Sequence, residues 1–254
     1  MKFFKITILF LLLTSCQYFK EEQPPRLYKH TVYAIYDTIG SVRKIKINAD
    51  TSYLEHVFNE YELVDIQSID SSIKVNLKYA DTSNFLKKDF YDGLRKAYFP
   101  CEVALQICNA QYYLKQINPG LSLQILDGAR PLHVQQMMWD SLNMPPDKKF
   151  NYLAPPYTIS LHNYGCAVDL TIIDLATGKS LDMGTEFDHF EKLSEPVREW
   201  QFLKTGELSR EAFGNRKLLR KVMQMAKFLP ITSEWWHFNF CTKDQASAKF
   251  RLIK

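Results

Sequence analysis

The sequence predicts an α+β fold, a single domain in which a central, mostly antiparallel sheet carries helices packed on one side. Three observations lead there. Short apolar runs rich in β-branched or aromatic residues recur at 121–126, 165–173 and 234–240, and each is too brief for a typical helix. Before and between them lie segments of helical periodicity at 101–117, 131–142 and 216–228. A histidine and an aspartate at one strand, and a histidine 75 residues further on at another, can share a site only if those strands are neighbours.

Residues 1–15 read as a signal peptide. Lys2 and Lys5 precede the run Ile6 to Leu13, and eight residues cannot span a bilayer that needs ~20 as a helix. Leu13-Thr14-Ser15-Cys16 resembles the bacterial lipobox, in which the cysteine is acylated and becomes the first residue of the mature chain. Cys16 is therefore the expected lipidation site and membrane anchor. Residues 16–26 contain a Pro-Pro pair and no periodicity, and suit a flexible tether. The domain is expected over 27–254, beginning with a short strand pair between Tyr28 and Ile47 that turns at Ile39-Gly40-Ser41.

Charge excludes one class of partner. The net charge of +4 includes Lys2 and Lys5, and without them 30 basic residues face 28 acidic ones, too small an excess to argue for nucleic acid. In the helix at 101–117, Val103, Leu105, Ile107, Ala110, Leu114 and Ile117 fall near one stripe, and Asn118-Pro119-Gly120 stops it. Cys101 and Cys108 on that helix would stand about 10 Å apart, too far to bridge. Cys166 and Cys241 lie at two core strands and are expected as neighbouring free thiols.

Three fragments carry candidate chemistry. In Ser160-Leu161-His162-Asn163-Tyr164-Gly165-Cys166-Ala167-Val168-Asp169, a histidine precedes a glycine turn and an aspartate follows inside an apolar strand. Zinc takes imidazole nitrogen and carboxylate oxygen together and offsets the cost of burying Asp169; an arginine or backbone donors would satisfy that carboxylate equally well. In Ser233-Glu234-Trp235-Trp236-His237, residues three apart on a regular strand face opposite ways, so a shared site requires Glu234 in the turn entering the strand or at a bulge. His237 alone also fits a core histidine. In Asp127-Gly128-Ala129-Arg130-Pro131, Arg130 is either an oxyanion donor or an ion-pair partner of Asp127. There is no HExxH helix, which excludes the thermolysin-like arrangement.

Five segments, VNLKYADTSNF at 75–85, DGARP at 127–131, SLHNYGCAVDLT at 160–171, DMGTEFD at 182–188 and SEWWHF at 233–238, stand in an order that resembles the zinc D-alanyl-D-alanine dipeptidase family, the group that includes the vancomycin-resistance dipeptidases. The resemblance covers about Val75 to Phe240. It implies one Zn²⁺ per chain held by His162, Asp169 and His237, with Glu234 as general base and acid and Arg130 stabilising the transition state. It also implies Tyr79 and Ser160 near the amino end of a small dipeptide, D-Ala-D-Ala. Members usually have an aromatic residue where Ala129 stands, a departure that touches pocket shape. His133 and His189 are expected at most to line the cleft, His30 and His56 to lie outside it, and Asp182 and Asp188 to serve turns or caps, with Asp188 able to orient a ligand. The same resemblance admits a D,D-carboxypeptidase or endopeptidase acting on larger peptidoglycan peptides, or a zinc-stabilised binding module without catalysis. The lipobox implies an exported lipoprotein on the periplasmic side of the outer membrane or at the cell surface.

Overall fold

In the computed structural model, which describes residues 52–150 and 152–254, the centre of the molecule is strand β5 (Ala167–Asp174), buried almost throughout. The chain order is α1 (Tyr53–Glu60), β1 (Val64–Asp65), α2 (Ile66–Ile69), β2 (Lys74–Val75), β3 (Tyr98–Phe99), α3 (Cys101–Ile117) and β4 (Leu121–Asp127). After α4 (Leu132–Ser141), α5 (Pro146–Lys149) and β5 come α6 (Glu199–Thr205), α7 (Arg210–Met225), β6 (Leu229–Pro230), β7 (His237–Asn239) and α8 (Lys243–Lys249). The main sheet runs β2-β4-β5-β7-β6, antiparallel except for the parallel β2–β4 pair, and β1 and β3 form a separate antiparallel pair. The α+β class and the mostly antiparallel sheet agree with the expectation. The leader, the tether and the strand pair expected between 28 and 47 lie outside the described residues.

Strand β5 is buried on both faces, and it is apolar on one of them and carries the polar Asp169 and Thr171 on the other. Alternation places Val168, Leu170 and Ile172 on one face, and register sets Leu170 opposite Ile125 and Ile172 opposite Leu123, all fully buried. Helices α3 and α7 contact each other, α3 also packing on β4 and α7 on β5 and β6. Not every helix shares that side: α4 and α8 instead pack on short 3₁₀ turns at 156–158 and 161–164.

The opposite face carries Asp169, directly across from His237 on β7. On its other side the β4 register slips between Ile125 and Asp127, so that Asp127 pairs with Asp169. One cross-strand row thus reads Asp127, Asp169, His237.

Two boundaries differ from the sequence expectation. Helix α7 starts at Arg210, not 216, because Ser209 caps it by accepting from the Ala212 amide at 2.9 Å. Strand β7 is only His237–Asn239, and Glu234 to Trp236 form a bent approach to it, with Trp235 Nε1 donating to Thr185 Oγ1 at 2.8 Å. The sequence reading also lacked α1 and α2, which bury Leu54, Val57, Phe58 and Ile66.

Candidate active site

His162 enters the site from a 3₁₀ turn, Leu161–Tyr164. Ser160 caps that turn, its hydroxyl accepting from the His162 amide at 3.3 Å, while the Asn163 side chain accepts from the Ser160 amide at 2.8 Å. Gly165 ends the turn at φ +65°, and a Cβ there would lie 2.7 Å from Pro100 Cδ. Left-handed backbone and close approach both require glycine. The turn is stitched to the DGARP loop, Arg130 N–H donating to the His162 carbonyl at 2.9 Å and Asn163 Nδ2 to the Arg130 carbonyl at 2.8 Å.

The structure brings His162, Asp169 and His237 together, with one ligand atom from each lying within 4.8 Å of the others. His162 Nε2 is 3.3 Å from His237 Nδ1 and 3.5 Å from Asp169 Oδ2, and His237 Nδ1 is 2.9 Å from Asp169 Oδ1. Their outer partners fix which atoms face inward. His162 Nδ1 lies 2.8 Å from the Gly128 carbonyl, which can only accept, so the proton sits on Nδ1 and the Nε2 lone pair points into the cluster. His237 Nε2 donates to Asn239 Oδ1 at 2.7 Å, which leaves Nδ1 facing Asp169.

Three electron-pair donors this close repel unless a cation sits among them. A proton is one such cation: burial opposes charge on His237, but Asp169 overrides it and pushes His237 up to about 9. Burial would likewise raise Asp169, yet the two histidines hold it well below the usual carboxylate range. A divalent metal is the other: one donor atom from each of the three residues lies within 4.8 Å of the others, and imidazole nitrogen with carboxylate oxygen is a donor set that zinc takes. Each histidine has an outer hydrogen-bond partner of the kind that orients metal-bound imidazole.

Arg130 and Asp127 form a buried ion pair, the guanidinium donating through Nε at 2.9 Å and through Nη2 to the same carboxylate oxygen. Nη1 donates to Gln135 Oε1 at 2.9 Å, and the Tyr91 hydroxyl donates to the other Asp127 oxygen. Burial works against the charge, but Asp127, Tyr91 and Tyr79 hold Arg130 firmly protonated. The ion-pair reading of Arg130 therefore holds, and it leaves the guanidinium rigid, with three of its five N–H groups engaged.

Tyr79 lies under this guanidinium, 5.1 Å from ring centre to Cζ, and its hydroxyl donates to both Asp188 oxygens at 3.1 and 3.0 Å. Asp188, at φ +60°, is pushed well above its ordinary value by burial and by Asp169. Glu234 Oε2 lies 3.9 Å from His237 Nδ1 in the segment entering β7, and burial raises its carboxyl while His237 pulls it down. An open cleft of about 880 Å³ begins at Glu234 and is bounded by Tyr152, His189 and Phe190 among others.

His133 sits edge-on to Tyr53 and His189 is 3.8 Å from Glu191, neither in the cluster. Asp182 serves a turn, accepting from the Gly184 amide at 2.8 Å. The four cysteines among the described residues are free, and burial raises the Cys166 thiol with Cys241 beside it. Sequence reasoning named Asp127 as an ion-pair partner of Arg130 but missed Gly128 and Asn239 as the partners of the histidines. For Asn239 a signal existed, since residues two apart on a strand share a face.

Residues 59–251 match the profile of a family described as D-ala-D-ala dipeptidase, Peptidase_M15. The chain is 33% identical over 177 residues to a D-alanyl-D-alanine dipeptidase of Escherichia coli, covering 70% of this chain and 83% of that protein. It is 29% identical over 195 residues to one of Enterococcus faecalis, covering 71% and 92%, and 28% identical over 177 residues to one of Synechocystis, covering 59% and 71%.

Proposed function

The chain belongs to the Peptidase_M15 family of D-ala-D-ala dipeptidases, and from that premise we propose a zinc-dependent metallopeptidase that hydrolyses D-Ala-D-Ala to two D-alanines outside the cytoplasm, in peptidoglycan turnover. One observation carries the metal: inward-facing donors of His162, Asp169 and His237 converge on one point with their outer partners in place. Nitrogen and carboxylate donors in a set of three suit zinc. Zinc held by them would supply Lewis-acid polarisation of the carbonyl and would lower the pKa of the attacking water towards ~7.

The remaining work belongs to the chain. Glu234, on the approach to β7 beside the ligands, accepts the proton of the attacking water on its carboxylate and delivers it to the leaving amine. Arg130 cannot turn, so its two uncommitted N–H groups form a preorganised donor for the carbonyl oxygen as charge develops there. Tyr79 supports the guanidinium from below. Ser160 acts by holding the turn that presents His162.

A second reading, cleavage of larger peptidoglycan peptides, is favoured by the open cleft of about 880 Å³ that runs outward from Glu234, away from the three donors, with room for more than a free dipeptide. Purified protein assayed with zinc and with chelator, on free D-Ala-D-Ala and on a pentapeptide ending in D-Ala-D-Ala, separates the readings. Zinc-dependent turnover confined to the dipeptide supports the first, turnover of the pentapeptide supports the second, and turnover of neither leaves only a binding module. Export and anchoring rest on Cys16. Because an enzyme tethered outside cannot drain a cytoplasmic dipeptide pool, the role is scavenging of wall-derived D-amino acid peptides. Labelling with a palmitate analogue, lost in Cys16→Ala, tests the anchor.

A further inference from the structure

Among the described residues, one stretch carries a marked excess of positive charge. Residues 197–229 hold eight of the 32 basic residues and three of the 28 acidic ones, an excess of five, more than the +4 of the whole chain. They form α6, α7 and the entry to β6. Within this stretch Arg216 is buried and pairs with Glu199, as does Arg220, and Arg198 pairs with Glu195 just before it. The exposed stripe of α7 carries Arg210, Lys217 and Lys221, and Lys204 and Lys227 are exposed beside it.

Large apolar side chains are exposed among these cations: Val197 at 65%, Trp200 at 62%, Met225 at 44% and Leu229 at 48%. The two kinds of side chain are joined. The Trp200 ring packs 4.9 Å from Phe213, and Lys217 Nζ stands over the same Phe213 ring at 5.6 Å. Lys221 and Met225 follow at successive helical turns on that stripe.

We propose that this face of α6 and α7 is a membrane contact, in which the lysines bind anionic phospholipid headgroups and Trp200 inserts at the interface. Lysines beside an exposed tryptophan and scattered aliphatic groups match the two layers of such a surface, charged outside and apolar within. A protein partner would bury these lysines at a cost, whereas headgroups leave them hydrated. The lipobox at Cys16 supplies the access to a membrane; the contact itself uses none of the metal-site residues. Acyl chains at the end of a tether leave the domain free to tumble, and a basic aromatic face gives it one orientation.

Vesicle co-sedimentation tests this on the mature polypeptide, residues 16–254 with Cys16→Ser so that no lipid contributes. At about 0.1 M salt it should bind mixed phosphatidylglycerol–phosphatidylcholine vesicles and not pure phosphatidylcholine. Each basic residue contributes roughly fivefold, so Lys217→Glu with Lys221→Glu should weaken binding by at least tenfold. The same reversal at exposed Lys87 and Lys88 should change it little. Trp200→Ala should weaken binding and abolish the blue shift of tryptophan emission. Circular dichroism and dipeptide hydrolysis, measured on each variant, should match wild type, which keeps failure here distinct from failure of the enzymatic reading. Equal binding to neutral vesicles, no binding to anionic ones, or equal losses from the Lys87–Lys88 and Lys217–Lys221 reversals would overturn the proposal. So would heparin capture of the protein with Trp200→Ala leaving vesicle binding unchanged, since the face would then be a general polyanion site.

Discussion

Asp127 is the residue whose loss should distinguish the scaffold of the site from its chemistry. Its side chain is fully buried, it accepts from Arg130 Nε and Nη2 and from Tyr91, and its partner Arg130 is 5% exposed. Asp127→Asn keeps the shape but removes the only carboxylate hydrogen-bonded to this guanidinium among the described residues, and sets an amide N–H where either the two guanidinium N–H groups or the Tyr91 hydroxyl donated. Breaking a buried pair from one side costs about 3–5 kcal/mol. At roughly 2–4 °C per kcal/mol for a domain of this size, the melting temperature should fall by about 6–20 °C. Thermal unfolding followed by circular dichroism at fixed zinc concentration measures it, alongside metal content. Removing both charges, as Asp127→Asn with Arg130→Gln, should recover at least half of the lost stability while turnover stays abolished, because neither remaining group carries charge to the carbonyl oxygen. A single-variant loss under about 1 kcal/mol, or a double variant no more stable than the single one, refutes the argument that this pair is held by mutual neutralisation.

Glu234→Gln should retain metal at wild-type stoichiometry and lose nearly all turnover, as read by metal analysis beside a D-alanine release assay. His237→Ala should instead lose the metal, since Asp169 and His162 alone leave two donors. Arg130→Ala should lose on the order of 10²-fold or more in kcat, with metal content unchanged and a stability loss from the stranded Asp127 in the same range as that of Asp127→Asn. Gly165→Ala combines φ +65° with an approach of 2.7 Å to Pro100 and should cost about 2–3 kcal/mol in a urea titration. Gly178→Ala, at φ +69° with nothing within 4 Å, should cost about 1 kcal/mol.

What could be read in the sequence was what local physics determines. Strand β5 is legible because burial on both faces leaves a short, mostly apolar and β-branched run, and helix α3 because one stripe and an Asn118-Pro119-Gly120 stop bound it. Parity required that Glu234, to share a site with His237, stand in the turn entering the strand or at a bulge, and of the two it stands in the approach to β7. The slip in β4 that sets Asp127 opposite Asp169 has no local signature: it accompanies the hydrogen bonds of Asp127 to Arg130 and to Tyr91, which lies 36 residues earlier. The same reasoning applies to the cluster itself. Asp169 and His237 meet through register, but His162 arrives from a turn stitched to the DGARP loop, so the three donors converge only once β4, β5, β7 and that turn are all in place. A cation bound there finds no equivalent in the unfolded chain, and its binding energy therefore adds to the stability of the fold. Chelation should lower the melting temperature of the wild type and leave that of His237→Ala unmoved, and equal shifts in both would place the metal somewhere other than this cluster.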